Sequence, residues 1–395
     1  MATLVTNEHL TPPPLWLIFT LTVVGISAVS VVAPILPDIV HGLSASPSSA
    51  GLIMAVVSLP GIITAPIMGV TADRMGRRTA ITLCLLLAGV GGLCAGFSSQ
   101  MSTLLIFRLV QGIGSAGLVY LPMVLIGDHW EGSQRSRYIG WNAATLTAAI
   151  ALTPFLSGLI AGIWSWRSSF VLFGSALIMV YPAMRWLPNR RIADSGLREQ
   201  WIGAMPVLKS PHVLTVMALA VLLFMIVFGV KYTTLPVSLS IDYGLPPFTR
   251  GLLLSIPSIT STFGGLMMGR IHNRIGKIPT LVVGFACYGI ATILFSTAPS
   301  LTVLVMAAVI FGVGDGTALP TLDEAMAGAG PSDTRGTVVS VYGGSIRIGQ
   351  TLGPLGAGSA LASVGIASTF MLGGVIVAVG LAIVLVAQVR GWMYE

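Results

Sequence analysis

Residues 69–78 read GVTADRMGRR, and residues 269–277, which lie 200 positions later, read GRIHNRIGK. The same 200-residue offset relates further pairs of residues along the chain, and chance matches would not keep one offset over such a length. The pairs are Gly69 and Gly269, Arg74 and Arg274, Gly76 and Gly276, Gly112 and Gly312, Gly114 and Gly314, Arg135 and Arg335, Pro154 and Pro354, Gly158 and Gly358, and Phe170 and Phe370. The repeat predicts two homologous halves.

The composition indicates a membrane protein. Apolar residues make up 54% of the 395 residues and charged residues only 8%, whereas soluble domains carry about 25% charged residues. The apolar runs are about 20 residues long, which suits a hydrocarbon core about 30 Å thick. The first run, residues 15–39, is long enough to be a retained spanning helix rather than a cleaved leader. We therefore expect an all-α membrane protein.

The apolar runs divide into six predicted helices per half. The first half is expected to cover residues 1–187 and the second residues 212–395, with a polar cytoplasmic linker at 188–211. The predicted spans are 15–37, 49–68, 79–97, 101–127, 138–162 and 168–187, then 213–238, 249–268, 279–297, 301–325, 338–361 and 367–388. The prediction is twelve transmembrane helices in two pseudo-symmetric six-helix bundles, and such paired halves are typical of secondary transporters.

The distribution of basic residues predicts the orientation. Of the 20 Lys and Arg residues, 15 lie in one set of alternate loops, 2 in the other set and 3 inside helices. Cytoplasmic loops carry such an excess, so both termini are expected in the cytoplasm and the location in a prokaryotic inner (plasma) membrane. The net charge of +7 is thereby explained without nucleic acid. The three cysteines and five histidines show no metal or redox spacing, and no cofactor is expected.

The segment at 69–78 resembles the signature between helices 2 and 3 of the major facilitator superfamily. The resemblance implies that this loop and its second copy close the inner gate. The second copy has Asn273 in place of Asp73, so an acidic latch is expected only in the first half. The expected inner-gate residues are Gly69, Asp73, Arg74, Gly76, Arg77, Arg78, Gly269, Arg274 and Gly276.

Two further motifs resemble that family. Arg108, followed by Gln111 and Gly112, resembles its membrane-embedded arginine motif, and Gly-Pro sequences in helices 5 and 11 resemble those of its drug antiporters. The Gly-Pro residues are Pro154, Gly158, Gly349, Gly353, Pro354 and Gly358. The whole chain is most similar to the twelve-helix drug and metabolite exporters, a group of drug:proton antiporters.

Four charged residues lie well inside predicted spans: Arg108, Lys231, Asp315 and Arg347. Ionisable residues in membrane helices face the interior, pair with each other or mark transport paths. Asp315 is the candidate for proton coupling, because a carboxylate keeps a proton more readily in an apolar site than beside a cation. A permanent pair of Asp315 with Lys231 or with Arg347 is the structural alternative.

Other charged and aromatic residues are candidates for the transport path. Asp323 and Glu324 are expected at the inner gate, and Asp38 is expected to be solvated beyond helix 1. The intramembrane charges are three positive and one negative, which favours anionic or neutral amphipathic substrates. The candidate cavity residues are Tyr120, Met123, Phe224, Met225, Tyr232 and Phe311. Ordinary packing explains their presence in these helices equally well.

Three functions follow as competing hypotheses. The leading one is proton-coupled export of a small organic molecule by alternating access. The second is uptake or facilitated passage of an organic anion, and the third is a non-transporting membrane receptor or scaffold. An enzyme is not expected, and the chain lacks the Gly-rich Lys-Ser/Thr loop of ATP-driven pumps. A monomer in the lipid bilayer is the expected state.

Overall fold

The structure is a computed structural model that describes residues 12–188, 197–329 and 335–393. For residues 65–74, 197–201, 268, 269, 271, 273 and 335 the description is limited to the backbone. The predicted linker residues Arg190, Arg191 and Asp194 lie outside the described residues.

Twelve long helical segments make up the described chain. The helix bounds are α1 Leu15–Gly42, α2 Ser49–Met75, α3 Arg77–Gly96, α4 Met101–His129, α5 Gly132–Ile163, α6 Trp166–Trp186, α7 Pro211–Ile241, α8 Pro247–Ile275, α9 Lys277–Thr297, α10 Leu301–Ala327, α11 Arg335–Ser363 and α12 Gly365–Arg390. Nine of these, within the described residues, are long and apolar enough to cross a membrane. The other three are α2, α8 and α11. The predicted all-α membrane fold is confirmed.

Most helices are longer than the predicted spans, and the predicted linker is not entirely loop. A separate helix at Leu197–Leu208 lies between α6 and α7, and its Ala204 is completely buried. We name this element the linker helix. The linker is therefore partly an ordered element of the structure.

Two long helices are locally irregular. In α1, a 3₁₀ turn at Ala33–Ile35 joins two α-helical pieces, because Pro34 and Pro37 each remove a backbone hydrogen bond of a regular helix. In α7, a π-helical segment at Val227–Thr234 lies between two α-helical pieces. π-helical turns are often found at functional sites.

The helix contacts repeat at the same 200-residue offset as the sequence. Gly112 of α4 lies against the backbone of Val57 in α2, and Gly312 of α10 lies against the backbone of Pro257 in α8. Small residues let membrane helices approach this closely. The two halves therefore share their internal packing as well as their order of helices.

Glycine is required at the turns that follow α2 and α8. Gly76 has φ +89° and Gly276 has φ +86°, a region that other residues adopt only with strain. Each turn joins two long helices without an intervening loop. We call the end of the bundle with these two turns the basic end, and the opposite end the distal end. The charge pattern predicts that the basic end is cytoplasmic.

Replacing Gly76 with alanine is expected to destabilise the protein by about 1–3 kcal/mol, because a side chain is strained in this backbone conformation. The measurement is the thermal unfolding midpoint of the purified protein in one detergent. Gly140→Ala is the matched control, since Gly140 lies within α5 and has no atom within 4 Å of an added methyl group. Equal unfolding midpoints for the two variants would contradict the assignment.

Candidate functional site

The two halves contact each other closely at the distal end. Gly358 of α11 lies against the backbone of Gly51 in α2, and Gly158 of α5 lies against the backbone of Pro247 and Gly251 in α8. Helix backbones meet at both crossings because neither glycine has a side chain. Two of the predicted Gly-Pro motif residues therefore lie at the seam that closes the distal end.

An ion pair crosses the same seam. Arg250 of α8 donates from Nη2 to both carboxylate oxygens of Asp38 in α1, at 2.8 and 2.6 Å. The Arg250 side chain is only 1% exposed, and that of Asp38 is 31% exposed. The expectation that Asp38 is solvated is wrong, because α1 continues past its prolines to Gly42 and so carries Asp38 on a helix. The pair fastens the two halves together.

A cluster of four polar side chains lies in the middle of the second half. Lys231 of the π-helical segment is 3.5 Å from Asp315 Oδ2 of α10. Its Nζ also donates to Ser258 Oγ of α8 at 3.1 Å, and the hydroxyl of Tyr288 in α9 donates to Asp315 Oδ1. We call these four residues the central cluster. Side chains from α7, α8, α9 and α10 meet in it.

The geometry decides between the two predicted partners of Asp315. Its partner is Lys231, whose side chain is 3% exposed, while the side chain of Asp315 is 12% exposed. Arg347, the other predicted partner, donates instead to Gln350 Oε1 at 3.0 Å. Removing one member of a buried ion pair costs about 3–5 kcal/mol, because the other charge is left unpaired. The pair therefore separates readily only when a proton neutralises Asp315 or another charged group takes the place of one partner.

Arg108 lies in the first half, away from the central cluster. Its Nη1 donates to the backbone oxygen of Ala28 in α1 at 2.7 Å and to Gln111 Oε1 at 2.6 Å. The side chain is completely buried. Among the described residues no carboxylate lies within 4.0 Å of it. The predicted candidates are thus separate sites: one ion pair and two arginines.

Ion pairs hold α3 to α4 and α9 to α10 at the basic end, and a histidine of α8 also contacts α10 there. Arg77 Nε is 3.0 Å from Asp128 Oδ2 in the first half. In the second half Glu324 is 3.4 Å from both His272 Nδ1 and Lys277 Nζ. Glu324 is thus an acidic partner for the second copy of the motif, although Asn273 replaces the acid within the motif itself.

The other gate residues are only partly described. Arg78 Nε donates to the backbone oxygen of Leu187 at 2.6 Å, and Arg274 is exposed. The backbone of Gly69, Asp73, Arg74 and Gly269 is helical, but the side-chain environment of these residues lies outside the described part of the chain.

The predicted cavity residues lie in different environments. Phe311 is completely buried, and its ring contacts those of Tyr288 and Phe295 at centroid distances of 4.7 and 6.2 Å. It belongs to the interior of the second half in this conformation. Tyr232 is 6% exposed, with Lys231 Nζ 5.1 Å from its ring centroid, so it adjoins the central cluster.

Three other cavity candidates lie nearer the surface or at helix contacts. Met123 is 48% exposed. Phe224 and Met225 of α7 are partly buried and lie against α11, where Gly349 and Gly353 leave room for them. These two motif glycines therefore serve contacts within the second half.

Three members of the polar network were not predicted from the sequence. Ser258 and Tyr288 belong to the central cluster, and the Tyr342 hydroxyl donates to Asp323 Oδ1 at 2.9 Å. The available signal was a tyrosine inside an apolar helix, since a buried phenol normally has a hydrogen-bond partner. That signal does not identify the partner.

Comparison with known proteins places the chain among transporters. The family model for the Major Facilitator Superfamily matches residues 15–322 and 217–391. The chain is 29% identical over 341 residues to the Bacillibactin exporter of Bacillus subtilis (strain 168), with 82% of this chain and 84% of that protein covered. It is 25% identical over 346 residues to the class B Tetracycline resistance protein of Escherichia coli, with 85% of each covered.

Solved transporter structures share the fold. The chain matches the nucleoside transporter NupG (D323A mutant) with a TM-score of 0.77 at 12% identity, covering 94% of this chain and 99% of that one. It matches a bacterial homologue of the human lysosomal transporter Spinster, in an inward-facing and unoccupied conformation, with a TM-score of 0.79 at 18% identity, covering 96% and 98%. At these identities the likeness concerns the fold alone.

Replacing Asp38 with asparagine is expected to open the distal end more often, because Arg250 loses its charged partner. Hydrogen bonds to charged groups contribute about 1.5–3 kcal/mol, so the open population should rise about tenfold or more. The probe is Ser255→Cys in a background without other cysteines. Ser255 is buried at the α5–α8 crossing, where it donates to the backbone oxygen of Ala151. The measurement is its rate of labelling by a membrane-impermeant maleimide.

The double variant Asp38→Arg with Arg250→Asp should restore slow labelling, since it re-forms the pair in reverse. If Asp38→Asn left the labelling rate unchanged, the ion pair would have no part in closing the distal end.

Proposed function

The chain belongs to the Major Facilitator Superfamily and is a multi-pass secondary transporter of small molecules, and we propose that it is a proton-coupled exporter in a bacterial inner membrane. The two proposed halves, residues 1–187 and 212–395, move relative to each other as rigid bodies. Substrate enters from the basic end, which faces the cytoplasm in this proposal, and leaves at the distal end. The proposed working unit is a monomer.

The observation that carries the proposal is the ion pair between Lys231 and Asp315. When the pair is intact, the two charges compensate each other in an apolar interior. A proton on Asp315 removes its negative charge and releases Lys231, which then needs another partner. A polar group of the substrate meets that need. Proton and substrate are thereby linked through one lysine.

The rest of the central cluster supports this exchange. Tyr288 donates to one Asp315 oxygen and Ser258 accepts from Lys231, so each charged group has a neutral partner that remains when the ion pair separates. Lys231 lies in the π-helical segment of α7, a kind of irregularity often found at functional sites. The charged groups thus keep hydrogen-bond partners while the ion pair is separated.

The distal contacts support the direction of substrate entry. Gly51 with Gly358 and Gly158 with Gly251 close the distal end, and the Asp38–Arg250 pair fastens it. A substrate from the cytoplasm would meet a carrier that is shut on the far side. Related proteins that are named as exporters or efflux proteins support export as the net direction.

Facilitated passage or uptake of an organic anion is the second candidate. One observation favours it: Arg108 and Arg347 are buried, and among the described residues no carboxylate lies within 4.0 Å of either, so both could bind an anion. In that case substrate flux would occur without proton movement.

Proteoliposomes that contain a pH-sensitive dye inside distinguish the two candidates. Adding a transported amphipathic compound to the wild type should evoke a proton flux, and Asp315→Asn should abolish it, because the variant has no carboxylate in the central cluster to take the proton. Compounds from the anionic, neutral and cationic classes are added in turn. The sign of the flux gives the direction of exchange.

Asp242→Asn is the matched control, because Asp242 follows α7 and bonds only locally to Ser238 Oγ at 2.8 Å. It should retain the full flux. Asp315→Glu keeps the carboxyl group and should retain part of the proton flux. Such a result would show that the loss in Asp315→Asn is due to the missing carboxylate and not to misfolding. Substrate flux without proton movement in the wild type would refute coupling and favour the facilitator.

A further inference from the structure

Each half contains a buried arginine that contacts a glutamine three residues later on the same helix. Arg108 and Gln111 form this pair in α4, and Arg347 and Gln350 form it in α11. The 200-residue offset does not relate the two pairs, since position 308 is alanine and position 147 is threonine. The pairs are therefore not explained by the internal repeat.

Both arginines lack charge compensation. Among the described residues, no carboxylate lies within 4.0 Å of either guanidinium. The Nε of Arg347 and the Nε and Nη2 of Arg108 also have no hydrogen-bond partner there. Arg250, by contrast, holds the carboxylate of Asp38. A buried cation without an anion is costly, so an anion that reaches either guanidinium would be bound there favourably.

Only Arg347 lies where the two halves meet. A Cβ at Gly61 of α2 would be 2.8 Å from Arg347 Cδ, so the side chain occupies the space that this glycine leaves in the other half. Its guanidinium carbon is 6.0 Å from the ring centroid of Tyr120 in α4. Arg108 is completely buried within the first half, but Arg347 is 7% exposed. Movement of the halves would uncover Arg347 first.

Tyr120 completes a two-part site across the seam. Its hydroxyl faces Gly343 of α11, at which a Cβ would come within 3.0 Å of it. The ring of Tyr120 is partly exposed and offers a surface for stacking. Asp323 of α10 does not supply this anion, because its Oδ1 accepts from Tyr342 and it lies more than 4.0 Å from the Arg347 guanidinium. The site thus offers a cation and a phenol to a ligand.

We propose that Arg347 binds the anionic group of the transported molecule while Tyr120 contacts its aromatic part. This assignment rests on the proposed transport function and names the substrate class, which is aromatic carboxylates or similar planar organic anions. A guanidinium suits such groups because its N–H donors form two parallel hydrogen bonds to a carboxylate. Contact with both α4 and α11 makes the bound anion a link between the halves.

The test is calorimetric binding of two probes of the same shape to the purified protein at constant pH. 2-Naphthoate carries a carboxylate, and 2-naphthamide carries a neutral amide in its place. The wild type should bind naphthoate more tightly. Arg347→Gln should weaken naphthoate binding about tenfold or more while changing naphthamide binding less than about twofold. Arg347→Lys keeps the charge but not the paired donors and should be intermediate.

Arg137→Gln is the matched control. Arg137 is an exposed arginine that also stacks on aromatic rings, at 5.2 Å from Tyr138 and 5.0 Å from Trp141, and its replacement should change neither affinity. The proposal is overturned if the wild type does not bind naphthoate in preference to naphthamide, or if Arg347→Gln weakens both probes equally. If binding is selective but evokes no proton flux in proteoliposomes, the coupling proposal fails and the anion site stands.

Discussion

A cation in the interior of a membrane protein needs an anion, and the Lys231–Asp315 ion pair meets that requirement in the second half. Four helices converge on the pair, since Ser258 of α8 and Tyr288 of α9 bond to its two members. The helices must keep this arrangement for as long as both groups are charged. Any change of charge at either group therefore changes what holds the four helices together. That dependence makes the pair suitable for coupling proton binding to movement of the helices.

Movement also requires a seam that closes and reopens. At the distal end the seam is made of close backbone contacts, with Gly51 against Gly358 and Gly158 against Gly251. Such contacts involve few rotamer-rich side chains, so little side-chain ordering is gained or lost when they separate. The Asp38–Arg250 pair adds a charged contact that water can replace once the end is open. The seam thus combines a close fit with little ordering of side chains.

The repeat in the sequence was sufficient to predict the fold, because an apolar run must form a helix in lipid and the second copy repeats the first. It also predicted a break between helices after residues 68 and 268, although the structure continues both helices and confines each break to the turn at Gly76 or Gly276. The partner of Asp315 was not predictable, because helix periodicity assigns faces only to regular helices. The π-helical segment at Val227–Thr234 changes the rotation of α7, and Lys231 lies inside it. Asp38 was misassigned for a related reason, since helix α1 resumes after its prolines.

The most direct test is the number of protons taken up when substrate binds to the purified protein in weakly buffered detergent solution. Coupling through the Lys231–Asp315 pair predicts substrate-dependent proton uptake by the wild type, because Asp315 is protonated as Lys231 turns to the substrate, and none by Asp315→Asn at the same substrate occupancy. Equal proton uptake by the two proteins would contradict the claim that this ion pair couples protons to transport.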